Sequence, residues 1–269
     1  MPLLLFLALV LAGLAALLLQ PWWAARRRAR LQALPFPAAW RRILRQRVPA
    51  VAALPADLQQ RLKQLIQVFV AEKPFIGCAG QAITDEVRVT IAAQACLLLL
   101  GQPRPDGYPR LREILVYPDA FVVDALQPAP GGVVQARRQV LAGQSWTQGR
   151  VILAWTEVLA GAADPADGRN VVIHEFAHQI DQDSGSADGR PWRASRAQRR
   201  RWAAVMDEAY ARHQREGPVL VSAQGAADPA EFFAELSERF FEQPQALAAE
   251  APAVYRELAL LYRLHPGAW

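Results

Sequence analysis

The chain has 269 residues, 52% of them hydrophobic, with two cysteines and a formal net charge of +5. That is enough apolar material for one sizeable core and too little cysteine for a disulfide framework, since Cys78 and Cys96 lack C-x-x-C spacing and read as buried free thiols. The positive balance sits in residues 1–47, which hold arginines 26, 27, 28, 30, 41, 42, 45 and 47 and no Asp or Glu; the other 22 basic and 25 acidic residues give 48–269 a net charge of −3, so direct nucleic-acid binding is not expected.

Pro2 to Leu19 is an unbroken apolar run, long enough to cross a bilayer of about 30 Å as a helix. Trp22 and Trp23 follow as an interfacial belt, and then the arginines 26–30. A cleavable signal carries its charge before the apolar core, and here the charge comes after it. The order therefore predicts a single transmembrane anchor, residues 1–25, in the cytoplasmic (inner) membrane with the body on the cytoplasmic face. Residues 26–56 read as a basic juxtamembrane linker with a short helix around Trp40 to Val48, its arginines near lipid head groups or merely solvated.

Residues 57–269 read as one α+β domain, mostly helical with a small mixed sheet. A helix is expected from Asp57 to Glu72, with Leu58, Leu62, Leu65, Ile66 and Phe69 on one face, and a second core helix from Asp85 to Leu100. Short β-prone runs follow at Ile114–Tyr117, Phe121–Val123 and Val133–Val140. Gly143-Gln-Ser-Trp146 then leads to the strongest strand, Arg150 to Trp155. This strand is read either as a sheet edge to which an extended peptide can add, or as a plain interior strand. A polar loop spans Asp183 to Trp192. A helix from Ser195 to Arg215 carries a solvated arginine face, with His213 at its polar end. After a loop over Val219 to Ala227, Asp228-Pro229 opens a helix to Phe241, and the last helix covers Val254 to Leu264. There is no repeat and no Gly-rich phosphate loop.

One stretch names a chemistry: His174-Glu175-Phe176-Ala177-His178, an H-E-x-x-H. On a helix, residues four apart share a face, so both imidazoles can reach one metal ion. Glu175, on the flank, is placed to act as general base toward a metal-activated water. Ile173, Phe176, Ala177 and Ile180 form an apolar face, Asn170 is a candidate N-cap, and Gly185 a stop. Two histidines and a glutamate on a buried helix are costly without a metal. A third ligand is needed, and Glu231, Glu235 and Glu238 stand at i, i+4 and i+7 on one face of a later helix. Spacing does not choose among them, and Glu231 is also the N3 residue of a helix capped by Asp228, a capping-box position. Asp181, three residues after His178, is a candidate to accept the outer N–H of a ligand histidine.

Val172-Ile-His174-Glu-Phe-Ala-His178-Gln-Ile-Asp181, Asp228-Pro-Ala-Glu231-Phe-Phe-Ala234, Ser237-Glu-Arg-Phe-Phe241, Tyr117-Pro-Asp-Ala-Phe-Val-Val123 and Gly143-Gln-Ser-Trp146 together resemble the Mlc titration factor A (MtfA) family of zinc peptidases over most of 57–264. The resemblance implies a zincin-like, gluzincin-type fold related to the catalytic domain of anthrax lethal factor. It implies one Zn²⁺ held by His174, His178 and Glu231, with Glu175 as base, and aminopeptidase-type activity on a peptide substrate. In the enterobacterial protein it implies binding of the repressor Mlc. Where the family often has an oxyanion-stabilising Tyr, this chain has Gln224; an amide can donate a hydrogen bond in that role or lie solvated in a loop. Tyr210 and Tyr255 are read as packing residues. The expected function is a membrane-anchored zinc peptidase. The competing expectation is a tethered module that sequesters a transcriptional repressor, with peptidase activity vestigial. A non-peptidase zinc hydrolase of the deformylase kind fits a helix-borne Glu231 less well.

Overall fold

The computed structural model describes the backbone of all residues except 1, 103–106, 130–132, 142, 147–148, 184, 192–194, 218–219 and 226. Side chains of residues 2–3, 8–9, 11–12, 15, 17 and 121–148 also lie outside the description. Trp192 and Val219, which bound two of the expected loops, are therefore not placed.

A long first helix, α1 (Pro2–Ala33), is followed by α2 (Ala38–Arg47), α3 (Ala50–Ala53) and α4 (Ala56–Glu72). The apolar half of α1 is bare: Leu4, Leu5, Phe6, Leu7, Val10, Leu14, Leu18 and Leu19 are exposed. Its arginine end is docked. Arg28 Nε donates to both oxygens of Glu72, at 2.9 and 3.1 Å, and Gln67 Nε2 on α4 donates to the Leu34 carbonyl at 3.1 Å. Among the described residues no helix is long and apolar enough to cross a membrane, so the expected anchor is not supported here.

The expectation of a linker over 26–56 needs correcting. Phe36, Leu44, Val48, Val51 and Leu54 are buried in the main core, so α2 and α3 belong to the folded body. Alanine and arginine in α2 make it read as solvated, but the burial is carried by a few large apolar residues spaced along it.

Next come β1 (Phe75–Gly77), α5 (Asp85–Leu97), β2 (Glu113–Tyr117), β3 (Phe121–Ala129), β4 (Val133–Leu141), β5 (Gly143–Trp146) and β6 (Arg150–Ala154). The main sheet has the order β1-β2-β6-β5, with β1, β2 and β6 parallel and β5 antiparallel to β6. Strands β3 and β4 pair in a separate antiparallel hairpin. The strongest predicted strand, β6, is thus interior, and the edge beside it is β5. An interior parallel strand is apolar on both faces, and Val151, Ile152, Leu153 and Ala154 are all buried.

The remaining helices are α6 (Trp155–Ala163), α7 (Val171–Gln182), α8 (Arg196–Glu216), α9 (Pro229–Glu242), α10 (Pro244–Glu250) and α11 (Pro252–Tyr262), with a short 3-10 turn at Pro266–Ala268. Helices α3, α6 and α10 and strand β1 are too short to show a period in the sequence. The core gathers α4, α5, β2, β6, α7 and α9. At its centre Phe176 of α7 meets Tyr108 and Phe69, ring centroids 4.7 and 5.7 Å away. Helix α7 packs on the sheet, α5 and α9, with its histidines turned toward α9.

Candidate metal centre

Helix α7 begins where Asn170 caps it, its Oδ1 accepting from Ile173 N at 3.0 Å. Val172, Ile173, Phe176 and Ala177 are buried, which puts the face bearing residues 174 and 178 at the surface of the core. Helix α9 begins at Asp228, whose Oδ1 accepts from Ala230 N at 2.8 Å and Glu231 N at 2.9 Å, with Pro229 in the first turn. Glu231 makes no reciprocal capping bond; its carboxylate faces the two histidines instead.

His174 Nε2 lies 3.2 Å from His178 Nε2. Glu231 Oε2 lies 3.3 Å from His174 Nε2, and Oε1 lies 3.3 Å from His178 Nε2. His174 Nδ1 is 2.8 Å from Glu238 Oε1. Taking that carboxylate as ionised, Nδ1 carries the hydrogen and Nε2 keeps its lone pair. Lone pairs and carboxylate oxygens then converge on one point, an arrangement that repels itself unless a cation fills it. Ligands about 2.0–2.1 Å from a tetrahedral zinc-type ion stand roughly 3.3 Å apart, which is the separation seen. Glu231 Oε2 is buried and lacks hydrogen-bond geometry to any partner among the described residues, as an atom aimed at an ion would be. His174, His178 and Glu231 therefore fit a divalent metal.

Protonation follows the same crowding. Burial opposes a charge on His174, but the Glu231 and Glu238 carboxylates beside it outweigh that and raise its pKa. Burial would raise Glu231 too, but the two histidines hold its carboxyl far below the usual carboxylate range. A divalent ion would take the place these interactions give to protons. Glu175 is buried, its Oε2 without a hydrogen-bond partner among the described residues. Burial pushes its pKa to about 8, against the pull of His174.

The three glutamates that spacing left equivalent are separated by what faces them. Glu231 meets the histidines. Glu235 accepts from Ser222 N and Oγ, both at 2.6 Å, and pins the loop before α9. Glu238 bonds His174 Nδ1. Sequence reasoning treated Glu238 only as a possible ligand; its i+7 spacing from Glu231 was the available signal for a second contact with α7.

Asp181 is fully buried, and its Oδ2 accepts from Gly189 N at 2.7 Å. Burial raises its pKa to about 6, against the hydrogen bond from Gly189 N–H, which lowers it. Gly189 has φ +72°, and a Cβ there would collide with the Pro229 carbonyl. Trp202 Nε1 donates to Gly189 O at 2.9 Å. Asp181 and Trp202 thus hold the loop against the start of α9. Gln224 lies exposed in a turn, its backbone N–H donating to Ser222 Oγ at 3.0 Å. No hydrogen bond joins its side chain to the histidines among the described residues. Tyr210 and Tyr255 pack on Phe232 and Phe240, as expected. His213 departs from expectation. It is buried against Phe232, because α8 turns its C-terminal end onto α9.

Residues 22–263 match the family model described as glucose-regulated metallo-peptidase M90. An uncharacterized protein of Synechocystis sp. is 38% identical over 99% of this chain and 98% of its own length. Mlc titration factor A of Salmonella agona is 35% identical over 80% of this chain and 82% of its own. Mlc titration factor A of Cronobacter sakazakii is 34% identical, covering 91% of each. The match begins well before residue 57 and takes in the docked end of α1 with α2 and α3.

Proposed function

The chain belongs to the family of glucose-regulated metallo-peptidases M90, and from that premise we propose that it is a zinc-dependent peptidase of aminopeptidase type, with His174, His178 and Glu231 as ligands and Glu175 as general base. The observation that carries this is the convergence of two imidazole nitrogens and a carboxylate at 3.2–3.3 Å beside a buried glutamate of the same helix. Bound there, zinc supplies a Lewis acid that polarises a carbonyl and makes water a nucleophile near neutral pH. Glu175 accepts the proton of the attacking water and hands it to the leaving amine. Strand β5, at the sheet edge and packed against α7, offers backbone groups to an extended peptide. The aminopeptidase preference rests on the resemblance to the Mlc titration factor A family.

Glu175→Gln tests the assignment. It keeps shape and ligands but cannot accept the proton, so hydrolysis of aminoacyl reporters falls by about 10²–10⁴-fold while bound metal is retained. A variant as fast as the wild type would refute the role.

A second reading is that the domain binds a transcriptional repressor, as the name of the enterobacterial relatives suggests. The exposed turn position of Gln224, where the family often has Tyr, favours it. Capture of a purified Mlc-type repressor that survives His174→Ala separates binding from peptidase chemistry. For location, the proposal is an N-terminal anchor in the cytoplasmic membrane with the body on the cytoplasmic side. Its support is the bare apolar half of α1, followed by exposed Trp22 and Trp23 and the arginines 26–30.

A further inference from the structure

We infer that Glu238 is a positioning residue of the metal centre: it holds the His174 ring as the Nδ1–H tautomer and ties that ring to the first turn of α7. The inference rests on the metal-site reading and assigns a job to a residue outside the ligand set.

Glu238 is buried, and its two oxygens are divided between two tasks. Oε1 accepts from His174 Nδ1 at 2.8 Å. Oε2 accepts from the backbone N–H of Asn170. Asn170 caps α7, and its Nδ2 donates to Gly161 O at 3.1 Å and Glu242 Oε1 at 3.0 Å. Helix α9 therefore grips the start of α7 one turn before the first ligand. The same helix presents Glu231 two turns earlier, about 10.5 Å along its axis. One helix supplies a ligand and also aims another helix's ligand, so a shift of α9 along α7 would disturb both together. A ligand imidazole whose outer N–H is held loses less freedom on binding metal and presents its lone pair in one direction.

The rival account is that Glu238 only anchors the helix start. Glu242 separates the two, because it shares Asn170 but does not touch His174. The experiment uses the full chain as wild type, Glu238→Gln, Glu238→Ala and Glu242→Gln. Zinc affinity is read by equilibrium competition with a chromogenic chelator, ligand geometry by the visible spectrum of the Co²⁺-substituted protein, and fold by thermal melting. Both Glu238 variants should lose about 10–100-fold in zinc affinity and show an altered cobalt spectrum, while Glu242→Gln shifts melting only. Glu238→Gln keeps the side-chain volume, so the answer does not depend on the alanine variant folding. Wild-type affinity and cobalt spectrum in Glu238→Gln would overturn the inference and leave a helix anchor. A wild-type chain that takes up no metal would instead overturn the metal-site reading beneath it.

Discussion

Glu231, Glu235 and Glu238 share one face of α9, and helical spacing makes them equivalent donors. Their partners do not follow from spacing: two histidines, a loop serine and a ring nitrogen. The H-E-x-x-H, Asn170 and Asp228 were legible because capping and metal chemistry act within one turn of helix. The division of labour among the glutamates was not, because it depends on how α7 and α9 meet. Glu231→Ala should therefore strip the metal on dialysis against a mild chelator, whereas Glu235→Ala should retain it. Burial raises the pKa of Glu242 to about 8 from 4.5, and its Oε2 is buried with no hydrogen-bond partner among the described residues. Between those values the folded state keeps a proton that the unfolded state has released, so stability falls as pH rises. Thermal melts of metal-free protein from pH 5 to 8 should show this slope, and Glu242→Gln should lessen it, with Glu175 and Asp181, whose pKa values burial also raises, carrying the remainder.

At the scale of elements, the site is an encounter of two capped helices held by a loop. Gly189 stands against the Pro229 carbonyl in a left-handed conformation, with Asp181 and Trp202 fastening it. Gly189→Ala combines an unfavourable backbone region with that collision. It should cost roughly 1–3 kcal/mol, seen as a lower denaturation midpoint, and it should weaken metal retention by moving the N-terminus of α9. The polar loop was legible from its composition, but the glycine's partner, forty residues on, was not. The sheet shows the same division. The apolar run of β6 announces a strand. That β5 is the edge follows only from the pairing order.

For the whole molecule, α2, α3 and the docked end of α1 are part of the body. Leu44 is 3% exposed and Phe36 8%, so Leu44→Ala should cost about 2–5 kcal/mol. A chain shortened to 57–269 should lose cooperative melting, while one beginning near residue 24 should keep it. Arginine-rich, alanine-rich sequence hid this, because the buried residues are few and the charges conspicuous. Membrane fractionation tests what α1 does ahead of Trp23: the anchor reading puts the full chain in the membrane pellet and the chain from residue 24 in the supernatant.

The central claim is that His174, His178 and Glu231 form one metal site. Metal analysis of the purified full chain beside His174→Ala tests it most directly. One zinc ion per wild-type chain and none in the folded variant is the predicted result; equal metal content in the two would contradict it.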